Sequence, residues 1–127
     1  MMDETKSILR DIRVSVGLTE ETVDFDTDLL MLINASLGVL NQNGVGLPVT
    51  VQDETTTWGD FKDPGQVTGN LYYHLVPLYI QLSTKIIFDP PPPSSVQHFS
   101  TTIDSLLWRL KVAYEESVVT TTLTEDW

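Results

Sequence analysis

The chain contains no cysteine, and that absence removes several classes of chemistry at once. Without a thiol there is no disulfide, no thiolate nucleophile and no zinc–thiolate site. The only histidines, His74 and His98, are too far apart in the sequence to predict a metal site. No apolar run reaches the ~18 residues of a membrane span, and the charged start MMDETKSILRD lacks the apolar region of a signal peptide. We therefore expect no metal, no cofactor and no membrane contact.

Basic residues are also scarce, with 7 against 18 acidic ones and a net charge of −11. A surface with this excess repels nucleic acid phosphates and offers no basic patch to hold them. Solubility alone accounts for such a charge in many proteins. Two functional interpretations stay open beside it. One is a surface past which DNA moves without sticking, and the other is a small acidic inhibitor or DNA mimic that binds a basic partner.

The common catalytic motifs are missing, since no HExxH, GxSxG, GxGxxG or phosphate-binding loop occurs. The acidic segment 18–28 could suggest a cation site, but it lacks the glycine and the twelfth-position ligand of a calcium loop. Negative charges before a helix stabilise its N-terminus, and this explains the segment without a site. The sequence therefore predicts a protein that is not an enzyme, with no catalytic residues.

The chain is organised around a proline corner between two helical stretches. Proline lacks the amide donor and clashes with the preceding turn, so Pro90–Pro93 should stay outside any helix and form a polyproline II rod. Ser94 should then be the N-cap of the next helix, with Gln97 completing a capping box. Residues at three-four spacing give this helix one apolar face: Val96, Phe99, Ile103, Leu106, Leu110 and Ala113.

Three further helices are predicted at 3–16, 26–42 and 67–88 from the same periodicity. Gly17 suits the position after the first helix, and Asn43 with Gly44 should end the second. Pro77 should bend the third in its middle. The fold class is therefore all-α. We expect a small antiparallel helical bundle of three main helices plus a short N-terminal helix, with an irregular loop at 47–66.

That loop carries two candidate features. Val49 and Val51 alternate with polar residues, as in a short strand. Trp58 and Phe61 lie in polar surroundings. They are either a lid over one end of the core or anchors on a neighbouring subunit, where aromatic residues are enriched.

The C-terminal segment 117–127 should be extended, because β-branched side chains run from Val118 to Thr122. It is either a free polar end or an arm that orders on a partner by strand addition or by burying apolar side chains. We divide the chain into a helical domain, 1–116, and a docking tail, 117–127. The predicted interface residues, contacting a portal or a neighbouring subunit, are Val118, Val119, Leu123, Trp127, Trp58 and Phe61.

Two segments carry a family resemblance. KIIFDPPPPSS at 85–95, followed by LLWRL at 106–110, resembles the head-tail connector (adaptor) family of tailed bacteriophages. DFDTDLLMLINASLGVLNQNGVG at 24–46 is similar to the first long helix of that family and the Gly-Val-Gly turn after it. The chain departs from the family in having four prolines rather than two or three, and in its Thr/Val-rich C-terminal end.

The resemblance implies a structural role in the neck of the virion, after assembly in the host cytoplasm. Such connectors form a ring, here expected to hold twelve copies, under the portal protein. The ring would join the capsid to the next neck or tail-completion protein, and DNA would pass through its lumen without specific binding. The resemblance does not indicate which end of the chain docks on the portal.

Overall fold

A computed structural model describes residues 5–47, 49–61 and 75–125 of the chain, with side chains to residue 115. These residues form α1 (Ile8–Ser15), α2 (Asp26–Gln42), α3 (Val76–Phe88) and α4 (Pro93–Glu125), with a 3₁₀ turn at Trp58–Phe61. Over the described ranges the only strand-like pairing is an isolated bridge between Ser7 and Thr57. The predicted all-α fold is confirmed.

The short first helix has a well-defined cap at each end. The hydroxyl of Ser7 accepts a hydrogen bond from the amide of Arg10 at 3.3 Å, as expected of an N-cap. At the other end Gly17 has a φ of 94°, and the amide of Leu18 donates to the carbonyl of Arg13 at 2.8 Å. This is a Schellman ending, and it confirms the predicted role of Gly17.

The second helix has the predicted bounds, 26–42, and the same type of ending. Gly44 adopts a φ of 89°, and the amide of Val45 donates to the carbonyl of Leu40 at 2.9 Å. Val45 is fully buried, so the chain re-enters the core directly after the helix. The cap thereby fixes where the following loop begins.

The third helix differs from the prediction at its start. It begins at Val76, so Pro77 lies in its first turn rather than in the middle of a longer helix. Proline is favoured there because the first-turn amides have no partner within the helix. The predicted bend at Pro77 is therefore wrong for α3, while residues 67–74 of the predicted helix lie outside the described part of the chain.

The proline corner is confirmed as a helix break, but its end is shifted by one residue. α3 ends at Phe88 as expected, while α4 begins at Pro93, so only Pro90–Pro92 lie outside helices. The amide of Ser95 donates to the carbonyl of Pro92 at 2.8 Å. Ser94 is thus a first-turn residue, and its assignment as the N-cap of a capping box is wrong. The fixed φ of proline suits the first helical position.

The C-terminal segment is helical through Glu125, so the prediction of an extended tail is wrong for residues 117–125. The β-branched preference against helix amounts to only ~0.5 kcal/mol per residue. Adding a residue to an existing helix requires no new nucleation. The long preceding helix therefore continues through Val118–Thr122.

α3 lies between α2 and α4 and packs against both. The rings of Phe25 and Phe88 meet edge-to-face with centroids 5.5 Å apart, so the start of α2 lies beside the end of α3. These two helices are antiparallel, and the short proline corner makes α3 and α4 antiparallel as well. Their facing stripes form one core with α1 and with the loop residues Val45, Val51, Trp58 and Phe61.

The loop after α2 is held by side chains instead of the strand considered for Val49 and Val51, which does not form. The amide side chain of Asn34 on α2 pairs with the backbone of Val51. Its Nδ2 donates to the carbonyl at 2.8 Å, and its Oδ1 accepts from the amide at 2.9 Å. The pairing satisfies both backbone groups of a buried residue, as a sheet would.

A buried arginine connects α1 to several segments in the N-terminal half of the chain. Arg13 of α1 is 0% exposed. Its Nε and Nη2 donate to the two carboxylate oxygens of Asp26, at 2.9 and 2.6 Å. Its Nη1 donates to the carbonyl of Glu20 and contacts the carboxylate of Glu54, both at 2.5 Å. We call this set the Arg13 cluster. It ties α1 to the acidic segment, to the start of α2 and to the loop.

Asp26→Ala should lower the free energy of unfolding by about 3 kcal/mol, because it leaves a buried guanidinium without its bidentate partner. Glu54→Gln should cost about 1 kcal/mol or less, since that side chain is 47% exposed and solvent screens the pair. Urea denaturation measures both. Asp28→Asn, at an exposed position in the same turn, is the matched control and should change stability by less than about 0.5 kcal/mol. Equal losses in Asp26→Ala and the control would contradict a central role for the pair.

Thr84 of α3 is 0% exposed, and its hydroxyl has no hydrogen-bond partner among the described residues. Thr84→Val keeps the shape and removes that unpaired group, so thermal denaturation should show a gain of about 1 kcal/mol. Thr84→Ser, which keeps the hydroxyl and removes a methyl group, should lose about 1 kcal/mol. A destabilised valine variant would show that the hydroxyl is satisfied in solution.

Candidate functional site

A groove lined by polar residues lies at the start of α1. It has a volume of about 370 Å³ and is lined by Thr5, Lys6, Ser7, Arg10, Asp11, Glu20, Glu54 and Thr57. Charges of both signs alternate around it, with the guanidinium of Arg10 4.0 Å from Glu20 and 3.9 Å from Glu21. The groove therefore presents no concentrated charge to a single ligand.

Among the described residues, three ionisable groups have displaced pKa values with structural causes. The hydrogen bond to Asp26 raises the pKa of Arg13 above its ordinary value, against the opposing effect of burial. Burial raises the pKa of Tyr79 in α3. Hydrogen bonds from the hydroxyl and the amide of Thr55 lower the pKa of Asp53. The three shifts thus accompany an ion pair, helix packing and a turn.

Metal and membrane sites were not expected, and two observations bear on them. In the ranges that the structure describes, no group of three or more His, Cys, Asp or Glu residues is placed to hold a metal ion. His98 is exposed on α4, and His74 lies outside those ranges. None of the described helices combines the length and apolar character required to cross a bilayer.

The aromatic pair in the loop forms part of the protein's own core. Trp58 is 3% and Phe61 1% exposed, with ring centroids 6.3 Å apart. The indole Nε1 of Trp58 donates to Asp11 Oδ2 at 2.7 Å, and the amide of Ile8 donates to the carbonyl of Thr56 at 3.0 Å. The pair covers the N-terminal end of the core against α1, as the lid interpretation predicts. Its role at a subunit interface stays a prediction.

The other predicted interface residues lie at the C-terminal end. Val118, Val119 and Leu123 are in the last turns of α4, and Trp127 lies outside the described residues. Their contact with a partner stays a prediction, now on a helix instead of an extended strand.

Three strongly exposed apolar side chains among the described residues were not on the predicted list of interface residues. Met31 on α2 is 67%, Ile87 on α3 66% and Trp108 on α4 65% exposed. For Trp108, the spacing of the neighbouring leucines in the sequence already indicated an exposed position. Trp108 is two residues from both Leu106 and Leu110, which are buried, and a two-residue step places it on the opposite side of a helix.

The family comparison agrees with this helical architecture. The family model for phage connector proteins matches residues 8–117, from the first residue of α1 to the last third of α4. This chain belongs to the phage connector protein family. No curated protein and no solved structure matches it. The family resemblance inferred from the proline corner and from α2 is thereby confirmed.

Membership makes the chain a component of the junction between head and tail in a bacteriophage. Connector proteins of this family are structural, and they contact portal and tail proteins in the neck of the virion. The features to explain are therefore surfaces for protein partners. Among the described residues, the outward faces of the helices are the candidates for such surfaces.

Trp58→Phe should lower the stability of this connector by about 1–2 kcal/mol, because it removes the indole hydrogen bond and leaves the carboxylate of Asp11 without its donor. Trp108→Phe, at an exposed position, is the matched control and should change stability by less than about 0.5 kcal/mol. Urea denaturation followed by circular dichroism measures both variants. A larger loss from Trp108→Phe would contradict the assignment of the buried and exposed tryptophans.

Proposed function

We propose that this connector is a structural adaptor that forms a ring of twelve copies under the portal. The ring joins the capsid to the next neck or tail-completion protein, and DNA passes through its lumen. The chain acts as two parts, a helical body at 1–116 and a docking segment at 117–127. The docking segment contacts the portal or a neighbouring subunit through Val118, Val119, Leu123 and Trp127.

The observation that carries the proposal is the family match across α1, α2 and α3 and most of α4. The continuation of α4 supports the docking segment in particular. At 1.5 Å per residue, α4 is about 50 Å long and α3 about 20 Å. The last eight residues of α4 lie beyond the matched region. They add about 12 Å of helix, which is available to reach a partner.

The charge of the chain supports passage of DNA without binding. The net charge is −11, and three of the cations are already engaged. Arg13 is buried against Asp26, Lys85 pairs with Asp89 at 3.0 Å, and Arg10 lies between two glutamates. A channel lined by such a surface offers few cationic groups that could neutralise phosphates and release their condensed counterions.

Deleting 117–127 should leave the helical body folded and weaken attachment to portal-bearing heads by about tenfold or more. The body should keep its core because the buried residues of α4, Leu106 and Leu110, precede the deletion. Circular dichroism checks folding, and co-sedimentation with heads measures attachment.

A substitution control distinguishes an effect of the length of the docking segment from an effect of its apolar side chains. Replacing Val118, Val119 and Leu123 by alanine keeps a helix-forming segment of the same length and should weaken attachment as the deletion does. A truncated chain that sediments with heads at full-length affinity would remove the segment from docking. If the full-length protein does not bind portal-bearing heads but binds a basic DNA-binding protein, the result would favour the acidic-inhibitor alternative.

A further inference from the structure

The outward face of α2 is apolar and is not covered by any described residue. Met31 is 67% and Val39 40% exposed, and Ala35 between them is exposed as well. No charged residue occurs from Leu29 to Gln52, although a fifth of the chain is charged. A helix on the surface of a bundle ordinarily carries charges on its outer side. The absence of charges from Leu29 onward indicates a face that another chain covers.

Gly38 strengthens this indication because it has no role within the subunit. It lies in the interior of α2 without a positive φ, and a Cβ built there would meet nothing within 4 Å. Glycine in an exposed helix interior costs about 1 kcal/mol relative to alanine. Neither backbone conformation nor internal packing requires it. Close approach from outside does explain it, since glycine and Ala35 leave a shallow depression beside Met31.

A second exposed apolar face, on α4, carries a side chain large enough to fill the depression on α2. Trp108 is 65% exposed on the side opposite to the buried Leu106 and Leu110. Arg109 and Lys111, both exposed, stand on either side of it. An exposed indole between charged residues has the composition of an interface centre with a polar rim. Tryptophan is also among the residues that contribute most to binding at such centres.

The two faces lie at the same height in the bundle. α2 and α4 both start at the end marked by Phe25 and Phe88. At the other end, a Cβ on Gly46 would lie 3.6 Å from the hydroxyl of Tyr114 in α4. At 1.5 Å per residue, Gly38 is about 18 Å from the start of α2 and Trp108 about 22 Å from the start of α4. α3 packs against both helices, and the two exposed faces therefore belong to different helices of the bundle.

We propose that α4 of one copy packs against α2 of the next, with Trp108 seated over Ala35 and Gly38 beside Met31. This contact rests on the proposed ring and names its subunit interface. Two different faces make the contact head-to-tail, and each copy then uses both. Because the faces have equal height, a rotation without axial shift repeats the contact, which is the condition for closing a ring. The methionine sulfur beside the indole adds a favourable contact.

Disulfide trapping tests the interface directly, because the chain has no cysteine of its own. Ala35→Cys and Ser105→Cys place one thiol on each proposed face, and Ser105 precedes Trp108 by one helical turn. Wild type and variants are first brought to assembly on portal-bearing heads, as measured by sedimentation velocity, and then oxidised. The double variant should give a ladder of cross-linked species extending beyond the dimer. Each single variant should stay monomeric, because a head-to-tail contact never brings identical positions together.

Gly38→Leu provides an independent test in which folding and assembly change in opposite directions. The leucine fills the depression, and a Cβ at this position meets no described atom of its own subunit within 4 Å, so the melting temperature should be unchanged or higher. Assembly should fall by about tenfold or more. Gly38→Ala is the matched control, since it gives the same gain in helix propensity with a single methyl group. It should retain assembly within about threefold of wild type.

Each contrary result has a distinct meaning. Dimers from a single cysteine variant would show a two-fold contact and overturn the head-to-tail interface. A ring that sediments normally but gives no ladder, or that tolerates Gly38→Leu, would overturn this interface while leaving the ring intact. Wild-type protein that never assembles on heads would refute the proposed ring itself, and the interface with it.

Discussion

A buried positive charge is the constraint on which the N-terminal half of the structure depends. Arg13 is out of contact with water, and a lone guanidinium in that environment would be strongly destabilising. Its compensation comes from three residues outside α1: the carbonyl of Glu20 before α2, Asp26 at the start of α2, and Glu54 in the loop. Through these contacts Arg13 fixes α1 against α2 and the loop. The position of α2, and hence of its uncovered outer face, follows from this arrangement.

The helices could be predicted largely from local signals. Periodicity and a glycine ending defined α2, and four prolines separated α3 from α4, because these effects act within a few residues. The errors came where neighbouring structure overrides a local preference. Pro93 enters a helix at its first position, and Val118–Thr122 continue one that is already formed. The Arg13 cluster was not predictable in this way, since it joins residues far apart in the sequence whose proximity only the tertiary fold creates.

The candidate interface residues also differ in this way: some features follow from the local sequence, and others follow only from the tertiary fold. The polar setting of Trp58 in the sequence was compatible with a surface anchor, but the bridge between Ser7 and Thr57 brings it into the core. In the sequence, the helix that carries Trp108 was analysed only for its apolar, core-facing residues. The exposure of Trp108 became evident when the structure showed that Leu106 and Leu110 are buried. A subunit whose described residues form one core and leave apolar faces uncovered on two different helices is suited to repeated assembly. That property connects the helical bundle to the family's structural role between head and tail.

Cryo-electron microscopy of portal-bearing heads carrying this protein tests the account most directly, because it shows location, copy number and subunit contacts in one measurement. If the proposed ring is correct, the images should show a closed ring between the portal and the next neck component. In that ring α4 of each copy should lie against α2 of its neighbour, with the C-terminal end of α4 at a protein contact. Heads without density for the protein at the portal would contradict the central claim. A ring whose neighbouring copies meet through other faces would contradict the interface proposed for it.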